Sequence, residues 1–170
     1  MTSLFAQLYL AIQAQIETLV GNDGKPVIRW IDQDFGQLET YKDRPPVSFP
    51  CVLIDFPNTR YSEVSQTVQE VTLNISIRLG FAPFSSANSV APDISKEAAL
   101  QYYEVENALV GCLYGFTADG NIQPMIRVSA ATERREDAYR IREIMFSSYT
   151  EDVTTQEPVN ITKPSLVVSG

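Results

Sequence analysis

Hydrophobic positions repeat along this chain with two different periods, which predict helices in two places and strands in the segments around them. A helical period near the N-terminus predicts an amphipathic helix, which Gly21 ends. A second helical period predicts a helix from Ser95 to about Gly115. The predicted apolar faces consist of Leu4, Phe5, Leu8, Ile12, Ile16, Leu19 and Val20 in the first helix and of Leu100, Tyr103, Val110 and Leu113 in the second.

The clearest strand pattern lies at residues 71–79, where apolar and polar residues alternate and predict a strand that is buried on one face. Residues 51–56 predict the strand before it. Pro57 begins like a turn, so residues 57–69 are expected to hold the reversal between two long antiparallel strands.

Shorter segments complete the predicted order of elements. Residues 27–31 predict a short strand, and residues 125–132 and 139–149 predict a hairpin near the end of the chain. Residues 82–93 are rich in Pro, Ser and Asn, which predicts a surface loop.

Together these elements predict the α+β fold class, with a mainly antiparallel sheet of about four to five strands and two helices packed on one face. We expect a single α+β domain at residues 1–150 and an extended C-terminal tail at residues 151–170, where apolar content is low. With 170 residues, of which 44% are hydrophobic, the chain can bury one core. Its apolar runs are far shorter than the roughly 20 residues of a membrane-spanning helix, and no secretory signal is expected.

The chain contains no histidine, which excludes Ser-His-Asp and Cys-His nucleophiles and every metal site that uses imidazole. Cys51 and Cys112 lie in apolar stretches, as cysteines that form no disulfide usually do. We therefore expect a protein that is not an enzyme and that needs no cofactor.

A cluster of loop acids gives the one metal hypothesis. Asp32 and Asp34, with Glu39 or Asp43, offer carboxylate oxygens of the kind that divalent cations prefer. Such spacing is common in solvated loops, so we expect no metal site here.

The net charge is −8, from 21 acidic and 13 basic residues. Binding to the phosphate backbone through counterion release needs a basic surface, so we expect neither sequence-specific nor nonspecific binding of nucleic acid. An acidic channel wall would instead let DNA slide past without adhering.

Basic and acidic residues are mixed around the predicted hairpin. Four arginines suggest a phosphate site, but the interspersed acids nearly cancel their charge, which favours a subunit contact. The arginines are Arg134, Arg135, Arg140 and Arg142, and the acids are Glu133, Glu136, Asp137 and Glu143. The predicted subunit or partner contacts are Arg134, Arg135, Glu136 and Asp137 in the hairpin and Leu166, Val167 and Val168 in the tail.

The predicted order of elements resembles that of the tail-terminator and tail-completion proteins of long-tailed bacteriophages. The resemblance covers about residues 1–150 and is one of pattern and size. It is carried by the N-terminal helix, by the sequence RPPVSFPCVLID at residues 44–55, by the strand at 71–81, by the helix at 96–114 and by the hairpin that ends with IMFSSY at 144–149.

This resemblance implies a structural virion protein that forms a homo-oligomeric ring, typically a hexamer. Such a ring binds tail-tube protein, stops tube growth, contributes to head-tail joining and leaves a lumen through which DNA passes. It implies location in the virion tail or neck, assembly in the host cytoplasm and no membrane partner.

Two alternatives remain open. One is another neck or head-tail connector protein, an adaptor or a stopper. The other is a metal-dependent hydrolase that uses Asp32, Asp34 and Asp55, which predicts binding of a divalent metal.

Overall fold

A computed structural model describes residues 3–39, 47–65, 68–82, 88–118, 122–136 and 139–152 of the chain. These residues form two helices and five strands. In chain order the elements are α1 (Leu4–Glu17), β1 (Trp30–Gln33), β2 (Cys51–Ser65), β3 (Val68–Phe81), α2 (Asp93–Leu113), β4 (Ile126–Thr132) and β5 (Arg140–Asp152).

The five strands form one sheet in the order β1-β2-β3-β5-β4. β1 runs parallel to β2, and the other neighbouring strands are antiparallel. The predicted α+β fold class with a mainly antiparallel sheet is therefore confirmed, and β4 with β5 forms the predicted closing hairpin.

Both helices pack on the same face of the sheet, as predicted. In α1, Leu8, Ile12 and Ile16 are buried because a spacing of four residues keeps them on one helix face. Alternate residues of β3 meet them because successive strand side chains point to opposite faces. The strand residues of this main core are Val52, Ile54, Val71, Leu73, Ile75, Ile77, Leu79, Phe81, Ile144 and Phe146.

The packing face of α2 is the predicted one at Val110 and Leu113 but not at the two positions before them. The sequence pattern places Leu100 and Tyr103 on that face, yet they are 46% and 50% exposed. The apolar stripe of this helix is wide enough to allow more than one rotation, and contact with the sheet selects between them. The buried apolar residues of α2 are Ala99, Tyr102, Leu109, Val110 and Leu113.

A smaller apolar cluster lies on the other face of the sheet. Leu38, Cys51, Leu53 and Ile141 are completely buried in it. Gly80 lies directly beside this cluster, where an added Cβ atom would be 2.7 Å from the Cys51 sulfur. The close approach of β2 and β3 at this point therefore requires glycine.

β2 is longer than predicted: the chain reverses within the expected residues 57–69, but after Ser65 and not at Pro57. Pro57 lies within the strand at a β-bulge, which the register marks between Asp55 and Asn58. A bulge leaves one residue without a ladder partner, so proline can lie there although it has no N–H to donate. The strand then continues to Ser65.

Beyond the bulge, β2 and β3 form a projecting pair that we call the arm, residues 58–65 and 68–74. β1 pairs with Cys51–Ile54 of β2, so no strand covers the outer edge of the arm within the described residues. β5 pairs with the inner side of the arm as far as Asp152. Every β2 residue from Arg60 onward is exposed.

Element ends differ from the prediction in smaller ways. α1 ends at Glu17, before Gly21, and β1 begins at Trp30 rather than at residue 27. β5 runs into the predicted tail, since Glu151 pairs with Glu70. Residues 83–87 of the predicted loop and residues 153–170 of the predicted tail lie outside the described residues.

Candidate functional site

Arg78 of β3 contacts two other segments of the chain on the sheet face opposite the helices. Its guanidinium contacts Asp34 at 2.7 Å and Glu39 at 2.6 Å, both in the segment after β1. It contacts Glu133, which follows β4, at 2.8 Å. Position 78 alternates along β3 with buried core residues, so its side chain leaves the sheet on the outer face.

Burial and charge act in opposite directions on Arg78. Burial by itself would lower its pKa, but hydrogen bonds to Asp34 and Glu133 and their negative charges outweigh that effect and raise the pKa. The guanidinium therefore stays charged, with 11% of the side chain exposed. Asp34 also accepts a hydrogen bond from the Gly36 N–H at 2.9 Å, which fixes the loop after β1.

Arg135, one of the predicted contact residues, is directed inward. It donates a hydrogen bond to the carbonyl of Leu38 and lies 3.6 Å from Glu133, with 13% of its side chain exposed. Through Arg78 and Arg135, the turn after β4 is held against the loop after β1.

The other predicted contact residues have different positions. Arg134 and Glu136 are exposed on the turn between β4 and β5. Asp137, Leu166, Val167 and Val168 lie outside the described residues. The proposed contacts in the hairpin and tail stay predictions.

The four arginines of the phosphate hypothesis do not converge. Arg142 lies on the helix face, where its Nε is 3.0 Å from each carboxylate oxygen of Glu106 in α2. Arg140 stacks over the Tyr102 ring at 3.7 Å, also against α2. Arg135 lies on the opposite face, so no single anion could contact all four.

Of the acids in the metal hypothesis, Asp34 and Glu39 form ion pairs with Arg78, and Asp43 lies outside the described residues. Both Asp34 oxygens are used, one by Gly36 and one by Arg78. Asp32 accepts a hydrogen bond from the Gln33 N–H at 2.8 Å, and Asp55 is exposed on β2. Within the part of the chain that the structure describes, no group of three or more Cys, Asp or Glu residues is arranged to hold a metal ion.

The end of the arm is acidic. Glu70 of β3 lies directly opposite Glu151 of β5, which places two like charges side by side. Glu63 is exposed on the neighbouring β2 strand. Like charges in facing positions destabilise a sheet slightly, so a basic partner at this end would be favourable.

The opposite edge of the sheet presents one arginine and several apolar side chains. β4 is the outermost strand on that side and pairs only with β5 among the described elements. Its exposed side chains include Arg127, and Ile126 and Val128 are 50% and 60% exposed. The exposed Arg134 and Glu136 follow shortly after the strand.

No model of a known protein family matches this sequence, and no curated protein matches it either. Among the described residues, no helix combines the length and apolar character that crossing a membrane would require.

Sequence reasoning did not find the Arg78 network. The only signal is a charged residue at a polar position of the alternating β3 pattern, which is also typical of a solvated strand. Its three acidic partners are distant from it in sequence, so their convergence on Arg78 depends on the pairing of all five strands.

Proposed function

We propose that this chain is a structural virion protein, a tail terminator that forms a ring on the end of a phage tail tube, stops its growth and contributes to head-tail joining. The observation that carries the proposal is a sheet whose two outer regions, the arm and β4, both present uncovered strand edges among the described residues. Uncovered edges are surfaces on which another chain can add.

The order of elements supports the same function. A helix, a short strand, two long strands, a second helix and a closing hairpin follow one another, and they build one sheet with both helices on one face. This is the order on which the resemblance to tail terminators rests.

The charge of the chain fits the task. DNA must pass through such a ring without adhering, and a net charge of −8 disfavours contact with the phosphate backbone. The proposed partners are further copies of the chain in a hexameric ring, the tail-tube protein and the head-tail connector proteins. Stopping tube growth needs binding surfaces and no cofactor.

The test is assembly of the purified protein, alone and with tail-tube protein encoded by the same genome. We expect light scattering to give a ring mass that is a multiple of the 19.0 kDa monomer, and negative-stain images to show a central hole. Adding the protein to growing tubes should stop elongation and leave a ring on one tube end.

Two outcomes would contradict the proposal. Tubes that grow to the same length with and without the protein would exclude a terminator. Rings that do not bind the tail tube but bind the portal-adaptor complex would identify an adaptor or stopper of the neck instead.

A further inference from the structure

We infer that the ring closes by antiparallel pairing of two strand edges, the outer edge of β2 in the arm of one copy and the outer edge of β4 in the next. The inference rests on the proposed ring and names the contact that forms it. The occupant of each edge is therefore a second copy of this chain.

Strand direction permits this pairing. From β2 through β3 and β5 to β4 the strands alternate in direction, so β2 and β4 run in opposite directions. When copies related by rotation stand side by side, the β4 strand of one copy therefore meets the β2 strand of its neighbour antiparallel. The contact joins two different surfaces, so repetition generates a ring when the rotation between copies closes, and not a two-fold dimer.

Each edge carries an exposed charge of opposite sign at one position. Glu63 on β2 lies opposite Gln69 of β3, which precedes the core residues Val71 and Leu73 at alternate positions and points to the same face as they do. Arg127 on β4 lies opposite the core residue Phe146 of β5. Both side chains consequently lie on the helix side of the sheet. An alignment with Glu63 opposite Arg127 of the neighbour places opposite charges face to face, which stabilises a strand pair.

The same alignment pairs apolar side chains at the next position. Val64 follows Glu63 and is 60% exposed, and Ile126 precedes Arg127 and is 50% exposed. Val64 is the extra residue at the register shift between Glu63 and Ser65, so its side chain is free of a partner position on β3 and can pack on Ile126 of the neighbour, which would remove both from water. Further along the pair, the exposed Arg134 of the neighbour approaches Asp55, an exposed carboxylate on β2.

The position of β1 determines the offset between neighbours. Following the paired residues from β4 across β5 and β3 to β2 shows that β4 lies at the same height in the sheet as residues 52–58 of β2 in its own copy. β1 already occupies the outer edge of β2 at Cys51–Ile54, so a neighbouring β4 must pair further along, on the arm. Each copy is therefore displaced along the strand direction relative to the copy before it. A ring with this displacement closes when the strands are tilted relative to the ring axis, as in β-barrels.

Charge reversal tests the contact in the full-length protein. Glu63→Arg and Arg127→Glu, each alone, should convert the ring to the 19.0 kDa monomer in light scattering, because each creates a like-charge pair. The double variant Glu63→Arg/Arg127→Glu should recover the ring. Glu104→Arg on α2 and Arg29→Glu before β1 change exposed charges elsewhere and should leave the ring mass unchanged.

Cysteine cross-linking tests the register. Under mild oxidation, the double variant Val64→Cys/Ile126→Cys should give a ladder of covalent oligomers up to the ring size. Each single variant should give none, because its cysteine faces isoleucine or valine. Covalent dimers from Val64→Cys alone would overturn the inference, since they would show that two arms pair with each other.

The outcomes separate this inference from the proposed function. Rings that persist in both single charge variants would overturn the edge contact and leave the terminator proposal standing. A wild-type protein that neither forms rings nor binds tubes would overturn the terminator proposal itself. Circular dichroism of each variant should match the wild-type spectrum, which excludes unfolding as the cause of a lost ring.

Discussion

A guanidinium that neutralises several carboxylates is hard to replace once the surrounding chain has folded around it. Arg78 lies within 2.8 Å of Asp34, Glu39 and Glu133, and its side chain is mostly buried. The carboxylates come from two segments that the sheet alone would not hold together. At the scale of the residue, Arg78 therefore determines where the loop after β1 and the turn after β4 lie.

Arg78→Met tests this role, because methionine keeps much of the volume and removes the charge. The free energy of unfolding should fall by about 3 kcal/mol, since the carboxylates are left without their cation. Urea unfolding followed by circular dichroism measures the change. Arg60→Met on the exposed arm is the matched control and should change the same quantity by less than about 0.5 kcal/mol. Equal effects of the two variants would mean that the network is not structural.

The Cys112 thiol provides a second prediction at the residue scale. Burial raises the pKa of Cys112 from 9.0 to about 11, because the thiolate is poorly solvated beside α1. At pH 8 the reactive thiolate should therefore be about 100-fold scarcer than in the unfolded chain. Iodoacetamide labelling read by mass spectrometry should show this difference, and the rate should rise as the pH approaches 11.

An exposed cysteine in the same protein is the control for labelling. Ala14→Cys places a thiol on the exposed side of α1, where it should react at the ordinary rate. Labelling of Cys112 as fast as position 14 would contradict the assigned burial.

At the scale of the element, the pairing of β2 and β3 depends on a position without a side chain. An alanine Cβ at position 80 would lie 2.7 Å from the Cys51 sulfur and 3.3 Å from the Phe49 ring. Both neighbours belong to the packed cluster on the outer face and have little room to move.

Gly80→Ala should therefore lower the free energy of unfolding by about 1–3 kcal/mol through overpacking. Gly111→Ala is the matched control, since no atom lies within 4 Å of its added Cβ on α2. Because alanine favours helix over glycine, the control should be neutral or stabilising by up to about 1 kcal/mol. Thermal unfolding of both variants measures the difference, and a neutral Gly80→Ala would show that β2 can shift away from β3.

The same elements explain how far the fold was predictable. The alternating pattern of β3 and the helical spacing of α1 predicted their positions well, because local periodicity records which face is buried. Pro57 misled the prediction of β2, since its usual meaning as a turn residue was overridden by a bulge. The rotation of α2 could not be predicted, because its apolar stripe fits more than one packing face and the sheet selects one of them.

At the scale of the whole molecule, the candidate contact surfaces were harder to predict than the fold. The exposed Arg134 and the inward-directed Arg135 are neighbours in a mixed-charge sequence, and only tertiary contacts distinguish them. The two uncovered edges follow from strand order, which a sequence pattern does not specify. The acidic end of the arm likewise arises because β5 brings Glu151 next to Glu70.

The boundary of the folded domain gives the last prediction. Glu151 and Asp152 belong to β5, so a chain that ends at Asp152 keeps every described strand. Because residues 153–170 have little apolar content, their removal should change the urea midpoint little, although ring stability or docking should fall if the tail reaches a partner.

A chain that ends at Phe146 is the control. It loses the β5 residues that pair with the arm, including the buried Ser148 and Thr150, and should be several kcal/mol less stable. If the chain that ends at Asp152 unfolded as readily as the shorter one, the domain would extend into residues 153–170. If it kept both its stability and its ring, the arm and β4 would be sufficient for assembly, and Leu166, Val167 and Val168 would have no part in the ring contact.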